Sequence, residues 1–187
     1  MHSCAHFTSN MKKFSIGIIA MAAKPPHAGH VALLELACNE CDVVYAFVST
    51  ADRSRPGELE VKWEDVEQTW SEDIVPSLPN NFKYVPTREA PVRKAYELIE
   101  SSDHSWKIAL YGRPEDMSER FRLMPKNVTI RSVNLGAYSG TACRKAVADN
   151  DFSAFKKMMA PQVDAEALWT RLRKRIDTSV SKKRTKR

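Results

Sequence analysis

Phe14-Ser15-Ile16-Gly17-Ile18-Ile19-Ala20-Met21-Ala22-Ala23-Lys24-Pro25-Pro26-His27-Ala28-Gly29-His30 decides the fold of this chain. Residues 14–20 form a nearly continuous apolar run, as expected of a strand covered on both faces of a parallel sheet. Ala22 and Ala23 are small enough for a ligand to approach the backbone, Pro25-Pro26 stiffen the turn and remove donors, and Gly29 permits another close approach. Beyond the turn, Val31, Leu34 and Cys38 recur at helical spacing, which predicts a helix over residues 30–40. The same segment imitates a secretory signal, with Met11-Lys12-Lys13 ahead of an apolar run and small residues at Ala20 and Ala22. Because the run leads straight into an ordered turn and helix, the expected localisation is cytoplasmic.

The alternation continues outward. Residues 43–49 read as a second buried strand, residues 51–59 as a loop, and Trp63, Val66, Trp70 and Ile74 as the core-facing stripe of a helix. Residues 82–85, 106–111 and 128–133 are the remaining strands. Pro91 opens a helix striped by Val92, Ala95, Tyr96 and Ile99, and helices are predicted over 140–149, 152–159 and 164–177. Strands separated by helical patterns specify βαβ units. The fold class is therefore α/β: a Rossmann-like five-stranded parallel sheet with helices on both faces and a C-terminal helical extension from about residue 151. The domain plan is a disordered extension over 1–12, one domain over 13–177 and a basic disordered tail over 178–187.

Composition excludes some classes. A chain of 187 residues, 43% hydrophobic and 28% charged, can bury a core and is neither a disordered nor a membrane sequence. The net charge of +6 is concentrated in residues 171–187, where Asp177 is the one acid, so the remainder is slightly acidic. That distribution fits a solvated helix face and tail, with nucleic-acid contact as the competing reading. Cys38 and Cys41 meet the CxxC spacing, but no second pair completes a zinc site, and a redox motif would sit at a helix start rather than an end. Reduced, partly buried thiols are expected.

In open α/β sheets ligands bind beyond the carboxyl ends of the strands, where the strand order reverses. His27 and His30, three apart at a helix opening, can share one face beside free backbone N–H groups that favour an anion. Alone, the spacing fits a metal pair or two surface histidines equally well. Ser139-Gly140-Thr141-Ala142-Cys143-Arg144 opens a second helix after the fifth strand: Ser139 can cap it, Gly140 allows approach, and Thr141 with Arg144 supplies a hydroxyl and a guanidinium fork. Alone, this is a capping motif. The two together are far more specific.

Lys24-Pro25-Pro26-His27-Ala28-Gly29-His30 with Ser139-Gly140-Thr141-Ala142-Cys143-Arg144 resembles the two signatures of the HxGH nucleotidyltransferase superfamily. The likeness covers about residues 14–150, embraces cytidylyltransferase-like and nicotinamide mononucleotide adenylyltransferase-like branches, and is similar in tone to small phage-encoded members. It implies a catalytic set of His27, His30, Lys24 and Arg144, with Ala22, Ala23, Gly29, Ser139, Gly140 and Thr141 around the nucleotide. It also implies ATP as substrate, Mg²⁺ held mainly by the triphosphate rather than by protein ligands, and direct attack on the α-phosphorus with release of pyrophosphate. Ala22 and Ala23 depart from the family's usual Gly and aromatic residue, and its Gly-x-Asp is reduced to Gly112 in Tyr111-Gly112-Arg113-Pro114-Glu115-Asp116.

Arg53, Arg55 and Arg93 are the candidates for binding a phosphorylated co-substrate, with nicotinamide mononucleotide the first acceptor to test. The alternatives are cytidylyl transfer to a phosphorylated alcohol or sugar, and a nucleic-acid-binding protein acting through its basic C-terminus. The partners expected are thus a nucleoside triphosphate and a phosphorylated small molecule, with weak nucleic-acid contact through the tail and self-association left open, and no membrane.

Overall fold

A computed structural model describes residues 12–122, 124–134, 136 and 138–184, with side chains as far as residue 176. The chain runs β1 (Phe14–Met21), α1 (Ala28–Glu40), β2 (Cys41–Ser49), α2 (Trp63–Gln68), β3 (Phe82–Thr87), α3 (Pro91–Ser101), β4 (Ile108–Gly112), α4 (Pro114–Arg120), β5 (Val128–Ser132), α5 (Gly140–Ala148), α6 (Phe152–Lys157) and α7 (Ala165–Arg184). The five strands form one parallel sheet in the order β3-β2-β1-β4-β5. The chain builds outward from β1, then crosses back to lay β4 on its other side, so the order reverses between β1 and β4. That is where a ligand crevice is expected.

The alternation of β1 explains the two covered faces. Ile16 and Ile18 pack into one core with Ala95, Ile99, Leu110 and Met117, under α3 and α4. Ile19 and Met21 enter the other, with Leu34, Ala37, Val48, Trp70, Leu168 and Leu172, under α1, α2 and α7. Successive strand side chains point to opposite faces, so an unbroken apolar run is what a twice-covered strand requires. The apparent signal-like segment is the central strand of the sheet.

Two elements differ from the sequence expectation. The stripe from Trp63 to Ile74 is α-helical only to Gln68; it continues as a π-helical turn, Thr69–Ile74, and a 3₁₀ turn, Val75–Ser77. Val66 in α2 and Trp70 and Ile74 in the wider π turn are still completely buried, and Trp70 stacks on Tyr84 with centroids 5.4 Å apart. Second, α4 has no counterpart in the periodicity, because Met117 is its single buried residue. Its end signals are nevertheless present: Pro114 at the first position, Glu115 and Asp116 in the first turn, and Arg120 in the last.

The C-terminal helices close over α1 and α2. Met158, just after α6, accepts the Ala28 N–H at the mouth of α1 at 2.8 Å. Arg171 donates to the Asp65 carbonyl (3.0 Å), Gln68 Oε1 (3.0 Å) and Thr69 Oγ1 (2.7 Å), and Arg175 pairs with Asp65 and Glu64. Two of the basic residues thought to face solvent are therefore used to dock α7. The α7 backbone runs to Arg184, past residue 177, where the domain was expected to end. The expected N-terminal extension, apart from Lys12, and the last three tail residues lie outside the described residues.

Cys38, Cys41 and Cys143 are buried free thiols, and burial pushes Cys38 up to about 11 and Cys143 up to about 12. At neutral pH they are inert protonated groups. Among the described residues no helix is long and apolar enough to cross a membrane.

Candidate active site

A cleft of about 300 Å³ opens at the carboxyl ends of β1 and β4. Its walls are the β1–α1 turn, the N-terminus of α5, and one side of α4 from Arg113 to Phe121. The turn is tightly specified: Ala23 adopts φ +46 and is followed by a cis Lys24–Pro25 peptide. Glycine is the residue that enters the left-handed region freely, so the alanine here is held at an energetic cost.

The turn delivers His27 as the residue capping α1 in an extended conformation, with His30 one turn on. The two rings stack with centroids 3.8 Å apart, and the His27 backbone N–H donates to His30 Nδ1 at 3.3 Å. Accepting at Nδ1 leaves a neutral His30 with its proton on Nε2, a donor. His27 is 1% exposed and its Nδ1 has no hydrogen-bond partner among the described residues. Burial, assisted by the positive charge of Arg113, lowers His27 to about 4. Burial, then His27 and Arg113, holds His30 well below the usual imidazole range. Both rings are neutral donors at physiological pH.

Lys24 is equally unusual. Its side chain is buried, its ammonium has no hydrogen-bond partner among the described residues, and Nζ lies 5.5 Å over the Trp63 ring. Burial pulls its pKa down to about 8, against the opposing charge of Asp52. Trp63, expected to be only core, is thus the platform under this lysine.

Across the cleft, Ser139 caps α5 by accepting the Ala142 N–H at 3.0 Å, as its position predicts. Arg144 is 4% exposed; Nη1 donates to the Lys24 carbonyl (2.7 Å), and Nη2 to Thr141 Oγ1 (2.9 Å) and Glu58 Oε2 (2.8 Å), while Nε has no partner among the described residues. The Arg144–Lys24 bond ties the two helix mouths together. Gly140 makes it possible: a Cβ there would lie 3.0 Å from Arg144 Nη1 and 3.3 Å from the Lys24 carbonyl oxygen.

Ten sequence candidates line the cleft: Ala22, Ala23, Lys24, His27, His30, Arg53, Ser139, Gly140, Thr141 and Arg144. Gly29 is buried in the first turn of α1 and does not line it. Arg55 is in the exposed 51–59 loop, and Arg93 on α3 is spent on Glu89 and Glu97; neither reaches the cleft. Of the three arginines expected to bind a co-substrate, the cleft brings in Arg53 alone. Three charged residues were not anticipated: Arg113, which precedes α4, and Asp116 and Arg120 in its first and last turns. The Pro114 and acidic first-turn signal directly after a buried strand could have placed them. Among the described residues no group of three or more His, Cys, Asp or Glu is arranged to hold a metal ion.

With this geometry in view, the chain can be set beside known proteins. A bifunctional NMN adenylyltransferase/ADP ribose pyrophosphatase from Francisella tularensis superposes with a TM-score of 0.58 at 14% identity, covering 88% of this chain and 50% of that one. A structure of such a bifunctional protein complexed with AMP and a manganese ion, also from Francisella tularensis, gives 0.57 at 11% identity, over 92% and 55% of the two chains. The fold is shared. This chain spans about half the length of those proteins. Residues 16–72 also match the family described as the citrate lyase ligase C-terminal domain, a segment running from β1 through the π turn and including His27 and His30. No curated protein matches the sequence significantly.

Proposed function

We propose that this protein is a nucleotidyltransferase that transfers a nucleoside monophosphate, adenylate first among candidates, from a triphosphate to a phosphorylated small molecule, releasing pyrophosphate. One observation carries the reading: Lys24 Nζ, His27 Nδ1 and Arg144 Nε are all buried and without hydrogen-bond partners among the described residues, and all three residues line one cleft. A buried polar group without a partner costs about 1–3 kcal/mol, and more when charged, so three at one cleft mark a place for an anion with many acceptor oxygens. The adenylyltransferase-like fold and the match over residues 16–72 support the same class.

The chemistry follows from the groups present. Arg144 and Lys24 would bind the triphosphate, while His30 Nε2–H and the His27 ring would donate to the oxygens that gain charge as pyrophosphate leaves. An incoming phosphate anion raises the imidazole pKa values, so protonation and binding reinforce each other. An acceptor phosphate is already ionised, so positioning and electrostatics suffice without a general base. The cleft offers several cations and one lining carboxylate, Asp116, which suits Mg²⁺ arriving on the triphosphate and supplying charge neutralisation there. Arg113 and Arg120 are better placed for an acceptor anion than Arg55 or Arg93.

The test is pyrophosphate release from each of the four nucleoside triphosphates, paired with nicotinamide mononucleotide and with phosphorylated alcohols and sugars. Turnover with ATP supports adenylyl transfer, and turnover with CTP alone would replace it with cytidylyl transfer. Absence of turnover in every pair, with salt-dependent binding to RNA or DNA instead, would overturn the enzyme reading. Loss of turnover in His30→Ala with the fold retained would tie the activity to this cleft.

A further inference from the structure

Glu58 was not anticipated from the sequence, and the proposed chemistry makes no use of it. It lies in the loop that leaves β2 and returns to α2, within a short hairpin closed by Arg53 N–H to Val61 O (2.8 Å) and Val61 N–H to Arg53 O (3.0 Å). A single carboxylate oxygen, Oε2, accepts Arg53 Nε at 3.2 Å, Arg53 Nη2 at 3.0 Å and Arg144 Nη2 at 2.8 Å. Burial pushes this carboxyl up, but hydrogen bonds and charge from Arg53 and Arg144 more than offset it, so the net direction is down and the group is ionised.

We propose that the Glu58 carboxylate is a built-in competitor for the terminal phosphate of the nucleotide, holding the shared face of Arg53 and Arg144 and yielding it when a triphosphate enters. The inference rests on reading the cleft as a nucleoside-triphosphate site. Three features support it. Two guanidinium groups face one anion, and both arginines line the cleft. The carboxylate satisfies them incompletely, because three donors crowd one oxygen while Arg144 Nε has no acceptor among the described residues. A terminal phosphate has three oxygens and about twice the charge, so it can take the Arg53 fork and both Arg144 nitrogens together.

The competitor is also free to leave. The Glu58 side chain is 25% exposed against 4% for Arg144, so the carboxylate can swing into water while the guanidinium stays fixed. The hairpin tip around it is exposed, with Gly57 at φ +78. Arg53, read from sequence as a co-substrate residue, thereby joins the triphosphate end of the cleft. The consequence is selectivity for phosphate count. Displacing Glu58 lowers the apparent affinity of every ligand that reaches Arg53 and Arg144, and only a ligand with phosphates there regains contacts.

Calorimetric titration with ATP, AMP and inorganic triphosphate tests this on the full chain, using wild type, Glu58→Gln and Glu58→Ala, with thermal unfolding to confirm that each variant is folded. Both variants are expected to bind ATP and inorganic triphosphate about tenfold more tightly, a typical effect of removing a competing charge at a binding site, with AMP changed less than about twofold. If Glu58 instead holds the arginines in position, both variants bind ATP more weakly. Weakened or unchanged ATP binding, with wild-type binding intact, overturns the proposal and leaves the triphosphate reading standing. Failure of wild type and both variants to bind ATP or inorganic triphosphate overturns that reading and the proposal together.

Discussion

Acidification should destabilise the protein through its buried imidazoles. In the folded chain His27 binds its proton with a pKa of about 4, against an ordinary value of 6.5. Between these values the unfolded chain carries a proton that the folded chain does not, so stability rises with pH across the window and is lost as pH falls toward 4. At pH 5 an unfolded imidazole is almost wholly protonated and the folded one mostly neutral. Integrating the proton difference from pH 7 to pH 5 gives a loss of about 2 kcal/mol from His27 alone, approaching about 3 kcal/mol below pH 4. His30 acts in the same direction. Urea unfolding of wild type and His27→Gln at pH 7 and pH 5 reads the effect, because the carboxylates contribute equally to both proteins and loss of the His27 charge also eases protonation of His30. The variant is expected to lose about 2 kcal/mol less stability than wild type over that interval. Parallel losses, within about 0.5 kcal/mol, would show that His27 is not held neutral by burial, and the account of the cleft as a set of neutral donors would fail.

Three further outcomes follow from the geometry. Arg144→Lys keeps the charge but loses the planar fork that reaches the Lys24 carbonyl, Thr141 and Glu58, so turnover should fall about 100-fold or more in steady-state kinetics while the fold persists. Ala23→Gly relieves a left-handed alanine and should raise stability by up to about 1 kcal/mol, seen as a higher Tm. Arg171→Ala removes three hydrogen bonds that dock α7 on α2 and should cost about 1–3 kcal/mol in chemical unfolding, without changing triphosphate affinity.

Much of the site was legible because local chemistry repeats at fixed spacing. The His27-x-x-His30 pair and Ser139-x-x-x-x-Arg144 each announce a helix opening, and both openings are where the sequence puts them. That Arg55 and Arg93 lie outside the cleft was not legible, because an exposed arginine has no local signature of direction; Arg93 is 72% exposed and takes Glu89 and Glu97, its neighbours at helical spacing. Glu58 was illegible for a related reason. Its partner Arg144 is 86 residues away, and no sequence pattern near either residue refers to the other.

The sequence by itself determined the parallel sheet, the twice-covered central strand and the two helix mouths, since apolar periodicity and capping residues act over a few positions. Only the tertiary structure decided that the two mouths meet through the Arg144–Lys24 bond, that both imidazoles are neutral, and that Glu58 sits between two arginines. Those are properties of desolvation and of distance across the sheet's carboxyl edge, which exist only once residues far apart in the chain share one cleft.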